Sequence, residues 1–211
     1  MNAQIRRQIM ERLKNERPDP ESELNHSNPF ELLIAVMLSA QATDKSVNLV
    51  TPALFAAMPD AETMAGKTPE EIEPFIKTIG LFRNKAKHAA GIARALVERF
   101  NGQVPQTLKE LTSLPGVGTK TAKVVLNVAF GKPCIPVDTH ILRVCARTGL
   151  VQAKSADECS EKLERLLPKE YLLGAHHWIL LHGRYCCTAR KPHCAQCPIL
   201  DLCNWPEKEP N

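Results

Sequence analysis

Between positions 114 and 140 the chain reads LPGVGTKTAKVVLNVAFGKPCIPVDTH, a glycine-bearing hairpin that lies between two helical patterns. Gly116 and Gly118 can adopt backbone conformations that are closed to other residues, and they let a ligand approach the main chain closely. The amides of a turn that leads into a helix face outward as donors for an anion. The hydroxyl of Thr119 or Thr121 adds to these donors. The hairpin is therefore predicted to hold a phosphate.

Lys120 follows the hairpin and is expected in the first turn of the next helix, because apolar residues recur at helical spacing from Ala122 to Phe130. The positive end of the helix dipole disfavours a protonated amine, and partial burial is expected to act in the same direction. Such an amine is a nucleophile that forms a Schiff base. The alternative interpretation is a solvated surface lysine, which is the common case.

Asp138 lies 18 residues beyond Lys120, directly before the helical pattern of Ile141, Leu142 and Val144. Aspartate is favoured as the N-cap of a helix, so Asp138 is predicted to cap this one. Capping fixes the carboxylate in place and leaves it available for chemistry.

Helical periodicity dominates the rest of the chain, and no convincing alternating strand is found, so the predicted class is all-α. A linker is expected at 18–29, PDPESELNHSNP, and Asp44 is placed to cap a helix. Thr68 and Glu71 have the spacing of a capping box. The predicted helices begin with one marked by Ile5, Ile9 and Leu13 and continue at 30–41, after Asp44, after Thr68, and at 83–100, 107–114, 139–149, 155–167 and 171–186.

The 211 residues suffice for one large domain or two small ones, and the net charge of +4 permits a polyanionic partner without requiring one. No apolar run is long enough to span a membrane. The N-terminus lacks the apolar centre of a secretory signal. We therefore expect a cytoplasmic, reducing location.

Five of the eight cysteines fall between positions 186 and 203, and Cys187, Cys194, Cys197 and Cys203 have the spacing C-x6-C-x2-C-x5-C. Four thiolates can hold tetrahedral zinc or an iron–sulfur cluster, and the wide outer spacings favour the larger 4Fe-4S cluster slightly. Cys186 is expected to project differently and to be a bystander. The scattered Cys134, Cys145 and Cys159 are interpreted as small core residues.

The hairpin LPGVG, the loop GKPCIPVD and Asp138 together resemble the helix-hairpin-helix, Gly/Pro-loop and aspartate superfamily of DNA glycosylases. The resemblance continues through nearly the whole chain, including NPFELLIAVMLSAQATD at 28–44, IKTIGLFRNKA at 76–86, VDTHILRV at 137–144 and the cysteine-rich tail. The resemblance is strongest to a bacterial branch of this superfamily, whose members combine base removal with cleavage at abasic sites.

This resemblance implies two helical domains that flank a DNA-binding cleft. One is a six-helix domain at 22–132 with the helix-hairpin-helix at about 107–130, and the other combines 1–21 with 133–211 and carries the cluster. Gln41 and Leu81 match the residues that fill the gap left by an extruded base. The residues alone would instead make Gln41 an ordinary loop residue and Leu81 a core residue.

The same resemblance implies base excision repair of double-stranded DNA that contains damaged bases, oxidised pyrimidines above all, or abasic sites. Lys120 would attack the sugar, Asp138 would stabilise the charge that develops there, and the strand would be nicked by β-elimination from a Schiff base. The four tail cysteines would bind a 4Fe-4S cluster. Arg190 and Lys191, on the short tether between two of these cysteines, would contact phosphate. A monomer suffices for such a cleft.

Two alternatives remain open. An adenine-specific mismatch glycosylase shares the hairpin, the aspartate and the cluster, but that branch lacks a lysine at the position of Lys120 and extends further at the C-terminus than Asn211. A non-catalytic DNA-binding protein would use the hairpin only as a phosphate clamp and the four cysteines only for structure. Borohydride trapping separates an enzyme from such a module.

Overall fold

The computed structural model describes residues 1–18 and 22–209. All regular secondary structure in these residues is helical, which confirms the predicted all-α class. None of the described helices is long and apolar enough to cross a membrane.

The chain divides into two compact units, Ser22–Phe130 and a second that combines Met1–Glu21 with Gly131–Asn211. The division falls in the GKP stretch after Phe130. Of the linker predicted at 18–29, residues 19–21 lie outside the described residues. The part that follows them is anchored, because Asn48 accepts from the amide of Asn25 (2.9 Å) and donates to the carbonyl of Glu23 (2.7 Å).

The unit Ser22–Phe130 is built around α2 (Pro29–Leu38), which is buried along nearly its whole length. This helix packs against α3 (Asp44–Ala57), α6 (Phe82–Phe100) and α8 (Thr119–Phe130). Seven helical segments are described in this unit, five longer helices and the two five-residue helices α4 and α7. The segments are α2 (Pro29–Leu38), α3 (Asp44–Ala57), α4 (Ala61–Ala65), α5 (Pro69–Ile76), α6 (Phe82–Phe100), α7 (Leu108–Thr112) and α8 (Thr119–Phe130).

Polar side chains start these helices by accepting a backbone N–H that has no acceptor within the helix. Thr68 and Glu71 form the predicted capping box at the start of α5. The prediction that Asp44 caps α3 is wrong: Thr43 is the cap and accepts from the amide of Ser46 (3.1 Å), and Asp44 is the first helical residue. An acidic side chain in the first turn is favourable for the helix dipole, so Asp44 still suits its position.

The apolar helix α2 ends at Leu38, three residues before the predicted end at Gln41. Ser39 turns its hydroxyl back onto the carbonyl of Val36 (2.9 Å), and Gln41 adopts a left-handed conformation with φ of 55°. A left-handed residue stops an α-helix, and hydrophobic periodicity gives no indication of it.

The second unit has its own core, in which α11 (Leu172–Tyr185) packs against both α1 (Ala3–Glu16) and α9 (Thr139–Thr148). Cys145 and Cys159 are fully buried in this core, as predicted, and Cys134 is half-buried. The helices of this unit are α1 (Ala3–Glu16), α9 (Thr139–Thr148), α10 (Ala156–Leu166) and α11 (Leu172–Tyr185), with short 3-10 segments at Lys169–Tyr171, Cys194–Gln196 and Leu200–Leu202.

Lys85, on α6, is a buried cation: it is 4% exposed, and its Nζ has no hydrogen-bond partner among the described residues. Burial lowers the pKa of Lys85 below the ordinary value of 10.5. At pH values between the lowered pKa of the folded state and 10.5, the unfolded chain binds more protons than the folded one. The free energy of unfolding therefore rises with pH across that window. The lysine therefore destabilises the unit at neutral pH.

We expect Lys85→Met to raise the free energy of unfolding at neutral pH by about 1–3 kcal/mol, because methionine keeps the aliphatic volume and removes the unpaired ammonium. Urea denaturation of the full chain measures this change, and the pH dependence below 10.5 should become flatter in the variant. Lys87→Met, at an exposed position of the same helix, is the control and should change stability by less than about 0.5 kcal/mol. Equal or lower stability of Lys85→Met would contradict the interpretation.

Candidate functional site

The hairpin between α7 and α8 is a tight turn whose backbone requires a glycine. The amide of Val117 donates to the carbonyl of Leu114 (3.2 Å), with Pro115 and Gly116 at the two central positions. Gly116 has φ of 70°, as the third residue of a type II turn requires. Leu114 and Val117, the first and last residues of the turn, are buried and anchor it in the core.

Gly116 also lies against α6. A Cβ at this position would come within 2.5 Å of Nδ1 of His88, and one added to Gly91 would come within 3.1 Å of the Pro115 ring. The hairpin is therefore held against α6 by close packing at two points.

Gly118 differs from Gly116 because it does not use the left-handed conformation that is open to glycine. Its φ is not positive, and a Cβ added there would meet nothing within 4 Å. Gly118 is exposed and directly precedes α8, where the first amides of a helix have no acceptor within the helix. The open space beside it admits close approach of a ligand to these amides, and Thr119 is exposed next to it.

The two glycines allow a matched test of the hairpin. We expect Gly116→Ala to lower the free energy of unfolding by about 1–3 kcal/mol, because alanine is strained at this φ. Gly118→Ala should unfold like the wild type and yet bind duplex DNA more weakly, because its methyl group occupies the open space beside the amides. Thermal unfolding and a DNA titration on each variant measure the two effects. Unchanged DNA affinity of Gly118→Ala would remove Gly118 from the binding surface.

Lys120 is the second residue of α8 and is exposed to solvent. The predicted position in the first turn is confirmed, whereas the predicted partial burial is wrong. The apolar face of α8, which includes Ala122 and Val125, turns inward, so that Lys120 is left on the outer face. The amine is therefore accessible to a ligand bound at the hairpin.

Asp138 is half-buried and caps α9, as predicted: its Oδ1 accepts from the amide of Ile141 at 2.9 Å. The segment before it is held by hydrogen bonds to α10 and α11. Ile135 donates its amide to Glu164 (2.8 Å) and accepts from the hydroxyl of Ser160 (2.6 Å), and the carbonyl of Pro136 lies 2.8 Å from Nδ1 of His176. Asp138 is thus carried on a segment that α10 and α11 hold in place.

Gln41 and Leu81 are both exposed and both left-handed, with φ of 55° and 60°. Leu81 is 56% exposed, which contradicts the core position that its residue type favours. The two turns lie side by side, since a Cβ added to Gly80 would be 3.9 Å from the carbonyl oxygen of Gln41. Non-glycine residues in this conformation are strained, and such strain is concentrated at functional sites.

The tail brings Cys187, Cys194, Cys197 and Cys203 around one cavity, with Cys186 also in its lining. Four thiolates around a cluster carry net negative charge, and a nearby cation stabilises that charge. Arg147 supplies one, with Nη1 donating to Sγ of Cys187 (3.6 Å) and to the carbonyl of Thr188 (2.7 Å). The donor set and this cation fit an iron–sulfur cluster.

Arg147, which sequence reasoning missed, also braces the loop itself. Its Nη2 donates to the carbonyl of Ala189 (2.9 Å), and its guanidinium lies 4.2 Å from the ring centroid of Trp205. Arg190 and Lys191, on the loop that Arg147 holds, are exposed. Arg147 lies in the last turn of α9, where its type and position give no signal of this role.

The expectation that Cys186 projects away from the other cysteines is wrong. Its thiol donates to the carbonyl of His193 (3.7 Å), and its Sγ lies within 4.8 Å of Sγ of Cys197. The interaction between these two neighbouring thiols raises the pKa of Cys186 and lowers that of Cys197. His182 is also close, with Nε2 at 3.9 Å from Sγ of Cys197. Cys186 directly follows Tyr185, the last residue of α11. It therefore lies on the same side of the helix as His182, which is one turn earlier in the chain.

Residues 34–169 match the family model of the HhH-GPD superfamily base excision DNA repair protein, and residues 187–203 match the iron-sulfur binding domain of endonuclease III. The chain belongs to this superfamily and, within it, to the endonuclease III family. It is 50% identical over 208 residues to endonuclease III of Escherichia coli strain K12, with 99% of each chain covered.

The chain is also 49% identical to endonuclease III of Haemophilus influenzae, again with 99% of each chain covered. A solved structure of a trapped endonuclease III–DNA covalent intermediate superposes with a TM-score of 0.91 at 44% identity, over 97% of this chain and 96% of that one. The protein is therefore a DNA glycosylase with abasic-site lyase activity, and it binds a 4Fe-4S cluster. The comparisons favour neither of the two alternatives.

Proposed function

We propose that the protein removes oxidised pyrimidines from double-stranded DNA and nicks the strand at the resulting abasic site, with Lys120 as the nucleophile. The observation that carries this proposal is an exposed amine in the first turn of α8, next to a hairpin that offers backbone donors to a phosphate. The related endonuclease III whose structure with DNA is a trapped covalent intermediate supports a covalent route. Borohydride trapping on a duplex with one oxidised pyrimidine tests it.

Lys120 Nζ attacks C1′ of the deoxyribose with its lone pair, and the C1′–N bond to the base breaks. The base leaves with that electron pair and takes up a proton. The amine then loses one proton, and the C1′–O4′ bond of the sugar ring breaks with its electron pair passing to O4′, which takes up a proton. A protonated imine between Nζ and C1′ is left. The imine acidifies the C2′ proton, and loss of that proton expels the 3′ phosphate by β-elimination. Base removal and strand cleavage therefore share one intermediate.

Asp138 supports the first of these steps through its charge. Positive charge develops on the sugar as the bond to the base lengthens, and a fixed carboxylate stabilises such charge. The hydrogen bond from Ile141 orients the carboxylate without neutralising it. Asp138 also assists proton transfer, as carboxylates do at glycosidic carbons.

Gln41 and Leu81 occupy the gap that the extruded nucleotide leaves. Extrusion costs a few kcal/mol for a paired base, and side chains that fill the gap offset part of this cost. Both residues are exposed on adjacent turns with a left-handed backbone. Their side chains therefore lie at the surface, where they can reach a bound duplex.

Leu81→Ala is expected to slow base removal from fully paired duplex by about tenfold, because about 1–2 kcal/mol of gap filling is lost. On a duplex whose lesion lies opposite an abasic site, extrusion is already easy and the rate should change little. Single-turnover rates on the two substrates give the comparison. Leu49→Ala, at an exposed leucine of α3, is the control. Equal slowing on both substrates would assign Leu81 another role.

Phosphates of the duplex are contacted by the amides near Gly116 and Gly118, by the hydroxyl of Thr119, and by Arg190 and Lys191. The two cations are exposed on a loop whose ends are both cluster ligands, so the cluster and Arg147 present them in a defined position. Contacts of this kind position DNA without reading its sequence.

We further propose that residues 22–132 act as one domain and residues 1–21 with 133–211 as the other. The protein acts as a monomer in the cytoplasm, where bacterial DNA is found; its bacterial relatives support this location.

A further inference from the structure

His182, Cys186 and Cys197 offer three metal-ligating atoms that all lie within 4.8 Å of one another. Only Cys197 belongs to the cluster set. We propose that these three residues form a zinc site, which competes with the iron–sulfur cluster for Cys197.

Two of the ligands are fixed by the end of α11. His182 and Cys186 are four residues apart, and the amide of Cys186 donates to the carbonyl of His182 at 2.9 Å, so the helical geometry extends to the cysteine. Residues with this spacing lie on one face of a helix, which is a common arrangement of metal ligands. His182 is 8% exposed, so its ring is held in place by packing.

The third ligand comes from the loop. Sγ of Cys197 lies 3.9 Å from Nε2 of His182 and within 4.8 Å of Sγ of Cys186. In a tetrahedral zinc site, bond lengths of about 2.0–2.3 Å place neighbouring ligand atoms about 3.5–3.8 Å apart. The three atoms therefore need only small side-chain movements to surround one ion.

The donor chemistry suits zinc. One imidazole and two thiolates form a ligand set that zinc takes in proteins, with a fourth position for water or another thiol. Binding replaces the two thiol protons of Cys186 and Cys197, which pass to solvent, and it uses the neutral imidazole. No oxidant or reductant takes part.

Competition follows because Cys197 cannot serve both centres. A chain that holds zinc at this site lacks the full set of four cluster ligands, so zinc and cluster occupancy should vary in opposite directions. The supply of iron and zinc during synthesis then decides which form is made.

The test is the metal content of the full-length protein, produced in zinc-rich, iron-poor medium and in iron-rich medium. From the zinc-rich medium we expect the wild type to carry about one zinc per chain and little visible absorbance. Cys186→Ser should carry at least about fivefold less zinc, because one of three protein ligands is lost. The iron content of Cys186→Ser from iron-rich medium, which should be retained, shows that the tail still folds.

Two further variants separate this site from zinc held by the four cluster cysteines. Cys187→Ser should keep its zinc while it loses iron, whereas zinc on the cluster cysteines would be lost in Cys187→Ser and kept in Cys186→Ser. Cys134→Ser, a half-buried thiol away from the cavity lining, is the matched control and should behave like the wild type. A wild type without zinc, or zinc content that does not depend on Cys186, would overturn the proposal.

Discussion

Lys120→Ala is expected to abolish the covalent adduct that borohydride traps between the protein and a duplex with one oxidised pyrimidine. The adduct requires an imine between a protein amine and C1′, and alanine offers none. We expect strand cleavage to fall by about 10³-fold or more, since the nucleophile of a covalent route is removed. Gel analysis of borohydride-treated mixtures measures the adduct, and single-turnover assays measure the cleavage.

A second substitution separates nucleophilicity from charge. Lys120→Arg keeps a cation beside the hairpin but cannot form the imine, so it should bind DNA and form no adduct. Lys109→Ala, at an exposed lysine of α7, is the control and should form the adduct normally. An undiminished adduct in Lys120→Ala would refute the role of Lys120.

Asp138→Asn should lower the rate of base removal by about 10²–10³-fold while DNA binding and thermal stability are retained. Asparagine is as good an N-cap as aspartate, so the hydrogen bond to the amide of Ile141 persists in the variant. Only the charge is lost, and with it the stabilisation of the sugar. Single-turnover base release, a DNA titration and thermal unfolding give the three readouts.

Asp60→Asn is a matched control, because Asp60 is also an N-cap and accepts from the amide of Thr63 at 2.8 Å. Its turnover should stay at the wild-type level. Near-normal turnover of Asp138→Asn would restrict Asp138 to its capping role.

The helices were predictable where local sequence determines them. The capping box at Thr68 and the cap at Asp138 depend on residues three positions apart, and the apolar faces follow from periodicity. The end of α2 was not predictable, because a left-handed Gln41 stops the helix within an apolar pattern that would otherwise continue. Thr43 and Asp44 are both favoured caps, so the choice between them depends on the backbone.

The candidate site was predictable where a motif carries it, as in the hairpin and the four spaced cysteines. Arg147, His182 and Cys186 were missed or misjudged because their roles depend on contacts between distant parts of the chain. The guanidinium of Arg147 contacts Cys187, which is 40 positions later in the chain. His182 comes close to Cys197 only after the tail folds back. The burial of Lys85 likewise contradicts its residue type, and nothing in its local sequence indicates it.

The packing of the hairpin on α6 has a geometric consequence. α6 begins directly after Leu81, and its His88 lies against Gly116 of the hairpin. His88 is seven positions after Leu81, which corresponds to about 10 Å along a helix axis. On the proposed roles of the hairpin and Leu81, two turns of one helix fix the spacing between the phosphate held at the hairpin and the base-pair step that receives Leu81, and a bound duplex has to adjust its own geometry to that spacing.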